Sequence, residues 1–142
     1  MLIKKISLED IPYIEDCGKK CLPIYFKQKE LVYIIDNDKY KLLKIYDKEI
    51  IYGFIILQIF DNKNHIMSFG IDPLYRNMGY GKALINKVKE ISLNKIISLN
   101  VQKNNVIAIN FYFKNGFKVK KELINYYDNL DFKDAYYMEF LN

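Results

Sequence analysis

The sequence has 142 residues, of which 51% are hydrophobic and 27% charged, a balance typical of one folded globular domain. No segment is rich in Gly, Pro or Ser, so we predict no disordered tail. The 22 basic and 17 acidic residues give a net charge of +5, with the lysines scattered along the chain. This pattern argues against a nucleic-acid partner and agrees with an anionic small ligand.

The cysteines and the N-terminal segment bear on metal binding and location. Cys17 and Cys21 lie four residues apart on one predicted helix, and no second Cys/His pair completes a zinc site. We therefore expect reduced thiols and no bound metal. The N-terminal segment lacks a long apolar stretch, and no window reaches the roughly 18 apolar residues of a membrane helix. The sequence predicts a cytoplasmic protein without a membrane partner.

The first half of the chain predicts one strand, two helices and three further strands. Leu2–Ser7 alternates as an edge strand, and Ser7 begins a helix that ends at Pro23. A second helix is predicted over Lys27–Asp36 from its apolar spacing. Three consecutive antiparallel strands follow at Tyr40–Tyr46, Ile50–Phe60 and His65–Ile71.

The second half alternates helices and strands. Helical spacing predicts helices over Gly79–Ser92 and Asn104–Asn115, the latter stopped by Gly116. The remaining strands are predicted at Ile96–Val101, Phe117–Lys121 and Tyr136–Leu141. The predicted order is βααβββαβαββ. It describes an α/β fold with a mixed sheet of about seven strands and four helices, in one domain over residues 1–142.

One segment combines residue types that bind anions. A predicted strand ending in Phe69-Gly-Ile runs through a loop into a helix, and Arg76, Gly79 and Gly81 stand at the helix start with R-x-x-G-x-G spacing. Glycines let successive N–H groups approach an anion, and the helix start adds unpaired donors. The pattern indicates a pyrophosphate site, with a plain loop as the alternative. A P-loop and a dinucleotide-binding turn are excluded by the missing motif and by the element order.

Five stretches together carry a family resemblance. Arg76–Gly81 matches the signature Q/R-x-x-G-x-G/A, and Leu99–Phe117 is similar to L-x-V-x-x-x-N-x-x-A-I-x-F-Y-x-K-x-G-F. These motifs resemble the GNAT N-acetyltransferase superfamily, and the resemblance covers nearly the whole chain. Asn125–Tyr127, with Asp134–Met138, is similar to N-terminal protein acetyltransferases. Leu22–Phe26 resembles the F-P-V-x-Y loop of the NatE catalytic subunit.

The resemblance implies acetyl-CoA as the cofactor, lying where two strands diverge. Backbone groups of two strand residues would pair with the pantetheine arm, the turn would hold the pyrophosphate, and two residues would lie near the thiol. The implied cofactor residues are Phe69, Ile71, Arg76, Asn77, Met78, Gly79, Tyr80, Gly81, Lys82, Asn105 and Tyr112. Those implied to clamp a peptide N-terminus are Leu22, Pro23, Ile24, Phe26, Tyr126 and Tyr127. Aromatic residues in predicted surface turns suit a groove, although the two tyrosines could instead cover the core.

Acetyl transfer to an amine needs donors for the developing oxyanion and an acid for the departing thiolate. Tyr112 is the candidate acid, because a phenol of pKa ~10 can protonate a thiolate whose thiol has a pKa of ~8.5. The alternative for this tyrosine is packing beneath the sheet. The backbone N–H of Phe69 or Gly70 is the expected oxyanion donor.

The base is assigned less directly. In the NatE-like pattern a His and a Tyr occupy the positions of Asn100 and His65. An amide cannot take a proton at neutral pH, so Asn100 would at most position a water. His65 is the sole histidine, and its reference pKa of ~6.5 suits a base. A solvent-exposed position at a strand end is the alternative for His65.

Amine basicity favours one acceptor class. Near pH 7.2 an α-amine of pKa ~7.8 costs about 1 kcal/mol to deprotonate, whereas a lysine amine of pKa ~10.4 costs over ~4 kcal/mol. We predict a monomeric N-alpha-acetyltransferase that acetylates protein N-termini, with Met followed by an apolar residue, by direct attack in a ternary complex. One rival is a GNAT enzyme for lysines or small amines, which would favour acidic residues in the groove loops. The other is an acetyl-CoA-binding subunit that partners other N-terminal acetyltransferase subunits or the ribosome, consistent with Asn100 replacing His.

Overall fold

The computed structural model describes residues 1–142 and has the predicted order of elements. The strands are β1 (Leu2–Lys5), β2 (Tyr40–Asp47), β3 (Ile50–Ile59), β4 (Lys63–Ile71), β5 (Ile96–Gln102), β6 (Lys118–Leu123) and β7 (Ala135–Leu141). The helices are α1 (Ile11–Cys21), α2 (Gln28–Ile35), α3 (Tyr80–Ile91) and α4 (Val106–Lys114). None of these helices is long and apolar enough to cross a membrane.

The largest boundary difference lies before α1. The sequence predicted a helix from Ser7, but the next three residues form a 3-10 turn and the α-helix begins at Ile11. The Asp10 carboxylate explains the shorter helix, because it accepts from the Ser7 N–H at 2.8 Å and forms an ion pair with Lys44 at 2.7 Å. Held by these partners, Asp10 closes the turn against β2 instead of continuing a regular helix.

All seven strands form one mixed sheet in the order β1-β2-β3-β4-β5-β7-β6. Neighbouring strands are antiparallel except β4 and β5, which run parallel. A parallel pair needs a crossover connection, and α3 supplies it here. The predicted mixed α/β architecture is therefore confirmed.

Apolar side chains fill both faces of the sheet, and β3 shows why. Ile55 and Leu57 belong to a cluster that includes residues of α3 and α4, whereas Phe54 and Ile56 belong to a cluster with α1 and α2. Alternate strand residues point to opposite faces, so a strand covered on both sides is a continuous apolar run. The helices therefore lie in two layers around the sheet, α1 and α2 on one face, α3 and α4 on the other.

β4 and β5 pair for only part of their length, and this opens a cleft in the sheet. Their pairing covers Lys63–Ile66 and Ile96–Leu99, although β4 continues to Ile71 and β5 to Gln102. Met67 forms a bulge, because the β3 register shifts at this point. We call the opening beyond the last pair the β4–β5 cleft.

The hydrogen-bonding phase of β4 decides which backbone groups face the cleft. The Asp72 N–H donates to the Tyr52 oxygen at 2.8 Å, so Asp72 and Tyr52 form a hydrogen-bonded antiparallel pair. Because such pairs alternate along a ladder, Gly70 also points its N–H and C=O toward β3. The backbone groups of Phe69 and Ile71 consequently face the β4–β5 cleft.

Gly116, after α4, offers a test of the fold. It has a φ of +93°, and an added Cβ would lie 2.9 Å from the Phe140 ring. We expect Gly116→Ala to lower the free energy of unfolding, measured by urea denaturation, by about 2–4 kcal/mol, of which about 1–2 kcal/mol comes from the backbone conformation and the rest from the contact with Phe140. Gly79→Ala is the matched variant, since Gly79 has a φ of +87° but nothing within 4 Å of an added Cβ. An equal loss in both variants would show that the contact with Phe140 contributes nothing.

Candidate active site

The turn before α3 is held by local contacts. The Asp72 carboxylate accepts from the Leu74 N–H at 3.0 Å, which closes a 3-10 turn over Pro73–Tyr75. The Tyr52 ring stacks on Tyr80 with centroids 4.3 Å apart. These contacts fix the backbone on both sides of the residues that follow. We call the segment from Arg76 to Lys82 the Arg76–Lys82 turn.

The Arg76–Lys82 turn presents free backbone donors. None of its seven N–H groups donates a hydrogen bond within the chain. Gly79 precedes the first residue of α3 and has a φ of +87°. A Cβ added at Gly79 would have no other atom within 4 Å, so the space beside this residue is open. Unpaired N–H groups at the positive end of a helix suit a phosphate anion. A continuous run of free backbone N–H groups is therefore presented by the predicted cofactor residues Arg76, Asn77, Met78, Gly79, Tyr80, Gly81 and Lys82.

The turn lies at one end of the β4–β5 cleft. Arg76 Nε donates to the Ile71 carbonyl oxygen at 3.1 Å, and Cys21 Sγ lies 3.2 Å from the same oxygen. Gly81 approaches the rings of Phe69 and Phe111, since an added Cβ would lie 3.4–3.5 Å from both. The structure therefore brings the Arg76–Lys82 turn, the β4 residues Phe69 and Ile71, and the aromatic side chains of α4 into contact.

Tyr112 lies on α4 among the aromatic side chains that pack against Phe69. It is 8% exposed, and its ring packs against Phe69, at 6.4 Å between centroids, and Phe117, at 5.6 Å. Burial raises its pKa above the usual value, and so, to a smaller extent, does nearby Tyr127. No hydrogen bond to another residue engages its hydroxyl. The ring is thus part of the core, as the alternative stated, while its hydroxyl is a protonated donor without a partner.

Asn105 has a structural role that the sequence analysis did not assign. It is the N-cap of α4, and its Oδ1 accepts from the Ala108 N–H at 3.2 Å. A capping oxygen of this kind satisfies one orphan donor of the helix. Its side-chain N–H groups and the second lone pair of Oδ1 stay free for a ligand, and cofactor contact by Asn105 stays a prediction.

His65 lies on the opposite face of the sheet from the cluster of α3 and α4, one pair before the cleft opens. Its Nδ1 lies 2.6 Å from the Ser98 Oγ, and its ring stacks on Tyr137 at 6.5 Å. Burial, and to a smaller extent Lys63, lowers its pKa, so the ring is neutral at pH 7. His65 is half-buried rather than solvent-exposed, so the strand-end alternative is wrong.

Asn100 shares this face, since it lies two residues beyond Ser98 on β5. Its Nδ2 donates to the Tyr126 hydroxyl at 3.0 Å, which joins β5 to the loop between β6 and β7. Its Oδ1 is buried without a partner, as is the hydroxyl of Ser68 on the facing strand. Two polar atoms without hydrogen-bond partners, Ser68 Oγ and Asn100 Oδ1, therefore lie beside the cleft on the face of the sheet opposite α3 and α4.

Sequence reasoning missed Ser68, Ser98, Tyr137 and Glu139, which lie on the same face. The Tyr137 hydroxyl donates to the Glu139 carboxylate at 2.8 Å. Strand β5 carried a signal, because its Ser98 and Asn100 alternate with buried apolar residues. Alternation of this kind marks one polar face of a strand. We call this face of β4, β5 and β7 the polar face.

The two predicted peptide loops flank the site differently. Leu22 and Phe26 pack against the core between α1 and α2, whereas Pro23 and Ile24 are exposed. In the loop between β6 and β7, Tyr126 and Tyr127 lie edge to face with centroids 4.9 Å apart. Tyr126 is 50% exposed and its hydroxyl binds Asn100, so it does not merely cover the core. Peptide contact by these six residues stays a prediction.

Comparison with known proteins decides the family. The model of the acetyltransferase (GNAT) family matches residues 6–117. The chain belongs to the GNAT acetyltransferase family. The predicted family is thereby confirmed, and the free N–H groups of the Arg76–Lys82 turn fit the pyrophosphate of the expected cofactor, acetyl-CoA.

Several GNAT relatives are similar over much of the chain. A spermidine N(1)-acetyltransferase from Thermoplasma acidophilum is 32% identical over 68% of this chain and 63% of its own length. An N-alpha-acetyltransferase from Sulfurisphaera tokodaii is 39% identical over 54% of this chain and 47% of its own. The chain thus spans less than two thirds of these two relatives. Arabidopsis thaliana Naa50, solved with the bisubstrate analogue CoA-Ac-MVNAL, superposes with a TM-score of 0.83, 25% identity and coverage of 99% and 98%.

Proposed function

We propose that this GNAT protein is an acetyl-CoA-dependent N-alpha-acetyltransferase that acetylates protein N-termini beginning with Met and an apolar residue. The observation that carries the proposal is the β4–β5 cleft, which has free N–H groups at one end and the uncharged pair His65 and Asn100 beside it. The similar Arabidopsis thaliana Naa50, solved in complex with the bisubstrate analogue CoA-Ac-MVNAL, supports the same acceptor class. We propose direct attack by the amine in a ternary complex.

The cofactor would be held by backbone groups of this chain. The Arg76–Lys82 turn would bind the pyrophosphate. The cleft-facing groups of Phe69 and the N–H of Ile71 would pair with the pantetheine amides, since the Ile71 carbonyl oxygen already accepts from Arg76. Bound acetyl-CoA supplies the acetyl group as an activated thioester. Of the two predicted oxyanion donors, Phe69 is favoured, because the Gly70 N–H points to β3.

Tyr112 is the proposed acid and the polar face the proposed acceptor side. The Tyr112 hydroxyl is protonated at neutral pH and would donate a hydrogen bond, and then its proton, to the departing thiolate. Burial raises its pKa and makes that transfer less favourable than from a free phenol. Asn100 would contact the acceptor amine or a water beside it, since it cannot itself take the proton. Tyr126, which is bound to Asn100, would bring the loop between β6 and β7 over the acceptor.

A polyamine acceptor is the second candidate, favoured by the spermidine N(1)-acetyltransferase relative. A triply charged acceptor would need a groove of net negative charge. The predicted peptide loops Leu22–Phe26 and Asn125–Tyr127 contain no acidic residue, which favours the peptide over the polyamine.

Competition between acceptors tests the proposal. Two Met-Val peptides are compared, one with a free α-amine and blocked lysines and one with a blocked α-amine and free lysines. At pH 7.2 we expect kcat/KM to be about 10²-fold higher for the first, because the lysine amine is harder to deprotonate. Acetylated products are quantified by mass spectrometry, with spermidine as a third acceptor. A preference for spermidine or for the lysine peptide would overturn the N-terminal assignment.

The same assay addresses the rival binding role. A chain that serves only as a subunit would bind acetyl-CoA in calorimetry yet acetylate none of the three acceptors. Other N-terminal acetyltransferase subunits, the ribosome and a monomeric state stay predictions. Copurification with ribosomes from a lysate, compared at low and high salt, would test the ribosomal partner.

A further inference from the structure

The hydroxyl of Ser98 constrains the proton on His65. Ser98 is fully buried, and its Oγ makes one hydrogen bond, to His65 Nδ1 at 2.6 Å. A hydroxyl hydrogen that finds no acceptor inside a protein leaves a desolvated donor, which is unfavourable. The only acceptor that the structure offers to the Ser98 hydroxyl is the lone pair of Nδ1.

Two proton arrangements are compatible with the 2.6 Å distance between Nδ1 and the Ser98 Oγ, and they are not equivalent. If Nδ1 carries the proton, it donates to Ser98 and leaves the serine hydrogen without an acceptor. If Nδ1 is unprotonated, Ser98 donates to it and both atoms are paired, while the other ring nitrogen, Nε2, is not among the fully buried atoms that lack a partner. Neutral imidazole has one protonated nitrogen, so the second arrangement places the proton on Nε2.

The charged and titratable neighbours of His65 do not reverse this preference. On β4, Lys63 disfavours the imidazolium, and burial acts in the same direction. On β7, the Tyr137 ring stacks on His65, and its hydroxyl is already donated to Glu139. The partners on β3 and β5, Gln58 and Ser98, are uncharged. The ring is therefore neutral and its Nδ1 is occupied.

We infer that neutral His65 carries its proton on Nε2, fixed there by the Ser98 hydroxyl, and acts as a positioning residue that donates a hydrogen bond on the polar face. This role replaces the predicted general base, since a protonated Nε2 has no lone pair to accept the amine proton. The proton of the acceptor α-amine then leaves to solvent. This last step rests on the proposed function, whereas the tautomer does not.

The tautomer is measured directly, because the chain has a single histidine. Protein prepared without a histidine tag and labelled with ¹⁵N-histidine gives two ring nitrogens, whose couplings to the ring hydrogens identify the protonated one. We expect the Nε2–H form in excess of about tenfold at pH 8. In Ser98→Ala, which removes the donor, we expect both tautomers to be populated.

A wild-type spectrum with the proton on Nδ1, or a tautomer ratio unchanged in Ser98→Ala, would overturn the inference. This readout needs no activity, so it stands even where the acceptor class proves wrong. Circular dichroism and thermal melting of Ser98→Ala show whether the variant is folded. Should it be unfolded, Ser98→Cys, which keeps a weaker donor, takes its place with a smaller expected shift.

The pH dependence of kcat/KM tests the catalytic consequence. We expect its acidic limb to lie near the pKa of the acceptor α-amine, ~7.8, and to move with the amine pKa across two peptides. His65→Gln places an amide N–H where Nε2–H lies, so it should lose less activity than His65→Leu, with the limb unmoved. A limb that stays at one pH for both peptides and disappears in His65→Gln would establish His65 as the base.

Discussion

Replacing Gly79 with Trp is expected to weaken acetyl-CoA binding by at least 100-fold. Gly79 stands at the mouth of α3 with a φ of +87°, a conformation that costs an L-residue about 1–2 kcal/mol. A side chain added at Gly79 would enter open space beside the free N–H groups of the Arg76–Lys82 turn. An indole there would occupy the space that the pyrophosphate needs. Isothermal titration calorimetry with acetyl-CoA measures the loss.

Asn94→Trp is the matched control for the Gly79 variant. Asn94 has a φ of +65°, is exposed, and lies beyond the other end of α3. The same indole on the same kind of backbone should leave the acetyl-CoA Kd within about twofold. Arg76→Ala should give a smaller loss than Gly79→Trp, since its Nε is already bound to the Ile71 carbonyl. An unchanged Kd in Gly79→Trp would remove the pyrophosphate site and the cofactor roles that depend on it.

The Arg76–Lys82 turn could be predicted because its chemistry is local. Two glycines at a helix start present N–H groups through backbone geometry alone, whatever the rest of the chain does. The order of elements was predictable for a related reason, since the apolar spacing of each segment reflects the face it buries. Strand β3 shows the rule, with both of its faces covered and a continuous apolar sequence.

The choice of oxyanion donor could not be predicted in the same way. Phe69 and Gly70 are adjacent, and only the hydrogen-bonding phase set by the Asp72–Tyr52 pair separates them. The bulge at Met67 shifts the hydrogen-bonding phase of β4, and a methionine in a strand does not predict a bulge. Likewise, the contact between His65 and Ser98 depends on the parallel register of two strands 33 residues apart in sequence. Such features are set by pairing across the sheet.

Tyr112→Phe is expected to lower kcat by about 10²-fold while the acetyl-CoA Kd changes by less than twofold. The substitution removes only the hydroxyl, and the remaining ring keeps its contacts with Phe69 and Phe117. General acids contribute roughly 10²–10⁴-fold to rate, so a protonated donor at the leaving group accounts for a loss of this size. Steady-state kinetics and calorimetry separate the two effects.

Tyr33→Phe is the control for this substitution, since Tyr33 is 78% exposed on α2. It should leave kcat and Kd unchanged. Because burial raises the Tyr112 pKa well above its usual value, ionisation of this phenol should not limit kcat below pH 10. Equal losses in kcat and Kd for Tyr112→Phe would instead make Tyr112 a packing residue, and the departing thiolate would need a different proton donor.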